Sequence, residues 1–238
     1  MSRNAVITAE MLVGLPQPVR RFLEFAGVLG KSLPSRVVVQ QTGRIRQAPQ
    51  RPWMKFRTTE SYSIDPPGFV WNATAGYGHL PLFKVQDSYV EGKGSMRVKL
   101  AGLYAVVNAH GPAMNDSSAV RFFNEMMWFP FAYVRPNVAW KAINDTSAEA
   151  SFAAYGRTVS AKFTFGPDGR ITNFIAKRYK DVTTDSEPTL WSTPITAYGE
   201  FCGLRLPSAG GAVWQLALGD FTYIDLRVEE IKYESDDS

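Results

Sequence analysis

The chain has 238 residues, of which 45% are hydrophobic, 13% aromatic and 20% charged, and its net charge is +4. A charge this small, interspersed along the chain and attached to no recognisable module, argues against a nucleic-acid partner. One cysteine, Cys202, and two histidines, His79 and His110, exclude an internal disulfide, a cysteine-based zinc site and a histidine-rich metal centre.

The first residues carry no apolar run after a basic start, and no segment approaches the ~20 apolar residues of a membrane span. The expectation is therefore a cytoplasmic protein with neither secretory signal nor transmembrane segment. All-β sandwiches and barrels of this length form one domain, so a single domain over 1–238 is expected.

Residues 17–27 read as a helix. Pro18 suits its first turn, Val19, Phe22, Leu23 and Ala26 recur on one face, and Gly27 is a natural terminator. From about 36 to 110 the period changes to two. Met54, Phe56, Tyr62 and Ile64 share a face, and Asp65-Pro66-Pro67-Gly68 must turn. Phe83, Val85, Asp87 and Tyr89 share the next face. Gly92 and Gly94 then break the chain, and Met96, Val98 and Leu100 alternate on the second strand of a hairpin.

A second helix is expected over 117–129, capped by Asp116 or Ser117 and ended by Pro130. Val120, Phe123 and Met127 lie on one side, with Phe122, Met126 and Phe129 beside them. A helix apolar over so much of its circumference is buried on more than one side. Strands resume from about 138 to 233, where Val159, Ala161, Phe163 and Phe165 alternate cleanly, and the tail 234–238 is expected to be disordered. The order predicts a mainly β (α+β) fold. Its sheet is a strongly curved antiparallel half-barrel or open barrel, with the two helices plugging the concave face. Such a shape creates an apolar cavity unless side chains fill it as a packed core.

Several phrases occur together: Pro66-Pro67-Gly68-Phe69-Val70-Trp71, Asp87-x-Tyr89-x-x-Gly92-x-Gly94-x-Met96, Arg121-x-x-x-Glu125-x-x-x-x-Pro130 and Arg178-Tyr179. A further set runs Trp191, Tyr198-x-Glu200-x-x-Gly203-x-x-x-Pro207 and Trp214. Together they resemble a bacterial family of uncharacterised proteins over nearly the whole chain, from Leu15-Pro16 to Tyr233. The resemblance implies no particular activity. More remotely, the helix–strands–helix–strands order is similar to the half-barrel of periplasmic lipoprotein carriers, which hold acyl chains in an apolar cleft. This chain departs from those carriers in showing no export signal.

Asp87 is the most informative single position, because alternation turns its carboxylate inward, where burial is costly without a partner. Arg121 and Glu125 are one helical turn apart and can meet each other and Asp87, with Arg178 as a second partner. In a catalytic reading, Asp87 or Glu125 is the acid or base, Arg121 or Arg178 stabilises negative charge, and Tyr89 orients the substrate. In a structural reading the same cluster pins the helix to the sheet. Trp71, Tyr89, Met96, Arg178, Tyr179, Trp191, Tyr198 and Trp214 are candidate ligand contacts, although single aromatics in strands more often belong to a core. Gly92-Lys93-Gly94-Ser95 lacks the context of a phosphate cradle, so no cofactor is expected, and no metal.

Three functions remain open at this level. The first is binding of a hydrophobic small molecule or lipid. The second is a cofactor-independent lyase, isomerase or hydrolase acting on an apolar molecule by carboxylate acid/base catalysis. The third is a self-associating homo-oligomer without a ligand.

Overall fold

A computed structural model describes residues 6–181 and 186–235. The first helix, α1 (Gln17–Ala26), buries Val19, Phe22, Leu23 and Ala26, and Gly27 closes it in the left-handed region at φ 81°. Phe22 reaches Tyr133 and Phe165, which seats α1 against the inner face of the sheet.

Six strands follow as a meander: β1 (Arg36–Ile45), β2 (Met54–Ile64), β3 (Pro67–Tyr77), β4 (Leu80–Val90), β5 (Lys93–Leu100) and β6 (Tyr104–His110). Each pairs antiparallel with the next. Alternation decides which side is inside. Along β2, Met54, Phe56, Thr58, Glu60, Tyr62 and Ile64 are all buried, and Lys55, Arg57 and Thr59 are exposed.

After the helix α2 (Pro112–Glu125), the chain returns through β7 (Val138–Asn144), β8 (Ser147–Ala154), β9 (Arg157–Phe165) and β10 (Ile171–Tyr179). It ends with β11 (Pro188–Ser192), β12 (Ile195–Phe201), β13 (Leu204–Leu216) and the long β14 (Gly219–Glu234). β14 pairs with both β1 and β13, so it joins the two meanders into one 14-stranded sheet. β12 lies off the main path and pairs with β13. The sheet runs from β6 at one edge to β7 at the other, and these edges do not pair, so it curls without closing. The fold is the curved antiparallel half-barrel that the pattern predicts.

Several boundaries differ from expectation. α2 begins at Pro112 behind Gly111, not at 117, because proline is well suited to the first helical position. Asp116 lies inside the helix and pairs with Arg157. α2 ends at Glu125, and 3-10 turns over Met126–Trp128 and Pro130–Val134 carry the chain on, so Pro130 starts a turn and does not merely stop a helix. The Pro-Pro turn narrows to Asp65 and Pro66, with Pro67 already the first residue of β3. Gly94 lies within β5. A Cβ there would come 2.5 Å from the Met114 carbonyl oxygen, so glycine is what lets α2 cross β5 so closely. β14 runs on to Glu234, and residues 236–238 of the expected tail lie outside the described residues.

α2 divides the concave side into two unequal parts. On one side Phe123 packs against Tyr133, Phe152, Phe163 and Phe174 with ring centroids 5.6–6.3 Å apart. Phe122 likewise meets Tyr62, Tyr89, Phe129 and Phe152. That part is a solid aromatic core. The other part is not filled.

Candidate functional site

The unfilled part is a cleft of about 570 Å³, bounded by the inner faces of β1–β6, by β13 and β14, and by α2. Ligand pockets run from about 300 to 1,000 Å³, so this one has the size to hold a small molecule. Its apolar wall includes Phe83, Val85, Met96, Val98, Ile224 and Leu226, each only half-buried although each points inward. A second hollow of about 510 Å³, between residues 9–12 and α1, is more open and lined partly by Gln17, Arg20, Arg21 and Glu24.

α2 presents its polar stripe to the cleft. Ser117, Arg121, Asn124 and Glu125 line it at spacings of three and four, whereas Phe122 and Phe123 face the aromatic core. Three carboxyl groups converge on Arg121. Its Nη1 donates to Asp87 at 2.6 Å, its Nη2 to Glu60 at 2.8 Å, and its Nε to Glu125 at 2.9 Å. Phe69 and Trp71 stack on the guanidinium at 4.7 and 5.2 Å. Asp87 is 1% exposed and Glu60 0%, so the cluster is taken out of water almost completely.

One cation against three buried carboxylates leaves an excess of negative charge that a low-dielectric interior resists. Burial pushes the Glu60 carboxyl well above the usual range, and Arg121 only partly opposes it. Burial raises Glu125 as well. Arg121, by its charge and by its hydrogen bond, is the chief influence that opposes the rise at Glu125. For Arg121, desolvation works against the charge, but Glu125, Glu60 and Asp87 outweigh it and hold the group protonated. Tyr62 is likewise raised, first by desolvation and then by the charges of Glu125 and Glu60, so its hydroxyl stays neutral.

The sign of the pH effect follows. Glu60 and Glu125 have folded-state pKa values above the 4.5 of the free side chain, so the folded chain binds more protons than the unfolded chain. Their contribution to stability is full below about pH 4.5 and is lost as pH rises through the folded-state values. Glu60→Gln imitates the protonated acid and should flatten that decline. Urea melts between about pH 5 and pH 8 check it, and parallel curves for the two proteins would reject it.

The other expected contacts divide. Trp71, Met96, Arg178, Tyr179, Trp191 and Trp214 line the cleft together with Asp87, Arg121 and Glu125. Tyr89 does not. It is fully buried against Phe69 and Phe122, and desolvation raises its hydroxyl to about 12. Tyr198 packs on Phe25 of α1 and donates to the Ile171 carbonyl, away from the cleft. Arg178 does not join Arg121. It donates to the Ser117 carbonyl at 3.2 Å and lies over Trp191 at 4.8 Å. Glu60 was not among the expected residues. Its signal was its even-numbered place on β2 between Phe56 and Tyr62.

Among the described residues no group of three or more His, Cys, Asp or Glu is placed to hold a metal, and no helix is long and apolar enough to cross a membrane. His79 and His110 are both exposed.

A profile of a family of unknown function, DUF6544, matches residues 5–226. The chain belongs to DUF6544. Comparison with curated proteins finds no significant match. Among solved structures, this DUF6544 chain is similar to a LolA superfamily protein from Nitrosomonas europaea. The identity is 8%, the match covers 96% of this chain and 94% of that one, and the TM-score is 0.51. It is also similar to a domain provisionally described as an outer membrane lipoprotein-sorting protein, from Vibrio parahaemolyticus. There the identity is 7%, the coverage 85% and 86%, and the TM-score 0.50. At such identities the likeness is one of fold, and it gives this DUF6544 chain a LolA-like half-barrel.

Proposed function

We propose that the chain binds a hydrophobic small molecule or lipid in the cleft beside α2. The observation that carries this reading is an inward-facing apolar wall left half-buried next to a core that is otherwise tightly packed. A chain able to pack Phe123 among four aromatic rings has the side chains to fill its interior, yet it leaves about 570 Å³ open. Exposed apolar surface on this scale marks a binding site more often than an idle face. The half-barrel likeness to a domain described as lipoprotein-sorting supports the same reading.

The Arg121 cluster serves this reading as an anchor for α2. The guanidinium ties β2, β4 and the helix itself at three points, and Glu60 lies beneath the cleft with no exposure at all. Acid–base work on a bound substrate is the other use of these carboxyls. It would fall to Glu125 and Asp87, which line the cleft, and the convergence of all three acids on Arg121 favours anchoring.

Native mass spectrometry of the purified chain should show a co-purified apolar mass. Val85→Trp places an indole in the cleft. It should cut binding of the apolar probe diphenylhexatriene at least tenfold while costing less than about 1.5 kcal/mol in stability, since it enters open space. A bare chain that also fails to bind the probe would remove the reading.

A further inference from the structure

Arg178 at the end of β10 is 8% exposed and lines the cleft, yet among the described residues no carboxylate lies within ion-pair distance of it. An arginine buried to this degree would be expected to carry an acid, as the somewhat less buried Arg121 carries three. Arg178 has only neutral partners. Its Nε donates to the Ser117 carbonyl at 3.2 Å, and its Nη1 reaches the Tyr223 hydroxyl at 3.4 Å, a long and weak bond. Its Nη2 makes no hydrogen bond among the described residues.

The surroundings hold the group in place without neutralising it. Trp191 lies 4.8 Å below the guanidinium and Trp214 lies 6.0 Å away. The Trp191 indole donates to the Tyr223 hydroxyl at 3.1 Å, and Trp214 stacks on Tyr223 at 5.7 Å. Aromatic faces attract a cation, but they accept no proton from it and carry no countercharge. A planar guanidinium so held presents its outer edge, already oriented, to an oxyanion.

From that juxtaposition we propose that Arg178 is an anion anchor at one end of the cleft. The occupant is then an amphiphile with a carboxylate head, a fatty-acid-type molecule whose tail lies along Val85, Val98 and Ile224. The inference rests on the cleft reading above and narrows it. A flat carboxylate matches the fork of a guanidinium that lies over Trp191 and beside Trp214, and its one negative charge answers the one charge of Arg178. Two further cations, Arg46 and Lys180, line the cleft, and Lys180 is paired with Asp181, so a phosphate head is the competitor that the test has to separate from a carboxylate.

The test is calorimetric titration of the full chain with four probes: dodecanoate, dodecanol, dodecyl phosphate and acetate. Dodecanoate should bind at least tenfold more tightly than dodecanol, a difference of about 1.4 kcal/mol. Arg178→Met should bring dodecanoate down to the dodecanol level and leave dodecanol within about threefold of the parent. If that variant does not fold, Arg178→Lys keeps the charge without the fork and should retain only part of the preference. Equal binding of dodecanoate and dodecanol by the parent overturns the anchor and leaves the cleft reading standing. So does a preference that survives Arg178→Met. Tighter binding of dodecyl phosphate than of dodecanoate overturns the carboxylate assignment, and acetate binding as well as dodecanoate overturns the amphiphile. If neither dodecanol nor dodecanoate binds, the cleft reading falls together with the anchor.

Discussion

Arg121→Met is expected to destabilise the chain by about 3–5 kcal/mol in equilibrium denaturation, because it leaves buried acids without their cation. Methionine fills much of the space and keeps the apolar contact with Phe69 and Trp71, so packing alone does not account for a loss of that size. The cost arises at Asp87, Glu60 and Glu125, which lose bonds of 2.6, 2.8 and 2.9 Å. Two further measurements separate charge from shape. Lowering the pH should recover part of the loss, since protonation removes the repulsion among the acids. Adding Asp87→Asn to Arg121→Met should recover stability in a double-mutant cycle, with a coupling of about 1–3 kcal/mol. Additive losses would show that the cluster is not one electrostatic unit.

Phe123→Ala is expected to cost a similar amount, about 3–5 kcal/mol, for a different reason. Phe123 is fully buried and touches four aromatic rings contributed by β8, β9, β10 and the turn over 130–134. Truncation leaves a void in a rigid region that cannot collapse around it. Because this side chain faces away from the cleft, diphenylhexatriene binding by the folded variant should stay within about threefold of the parent. A large loss of probe affinity with little loss of stability would reverse the division of the interior between a packed part and an open part.

How much of this was legible in the sequence depends on which physical signal each residue carries. Period-two alternation placed Asp87 inward with Val85, and helical spacing put Arg121 beside Glu125. Both arguments use only local geometry, and both residues line the cleft. The curl of the sheet followed from strand number alone. Glu60 was missed because Thr58, between it and Phe56, makes the buried face of β2 look interrupted. Tyr198 illustrates a different limit. Alternation separates two faces of a strand without saying which is inside, and β12 pairs with β13 off the main path, with Tyr198 turned to Phe25. Tyr89 does face inward, but whether an inward residue meets empty space or another ring depends on where α2 crosses. That crossing is set by the close approach at Gly94, a long-range contact with no local signature.

The unpaired margins of the sheet also bear on how the cleft can change shape. The wall built from β4, β5 and β6 joins the sheet through β3, is braced by α2 at Gly94 and Asp87, and carries no further strand beyond β6. A ring of strands can widen only by breaking a ladder of hydrogen bonds, whereas an open margin can bend outward with its ladders intact. On the proposed binding role, a bulkier ligand would be met by bending at the β6 margin, with the ladders on either side of the Arg121 tie left intact.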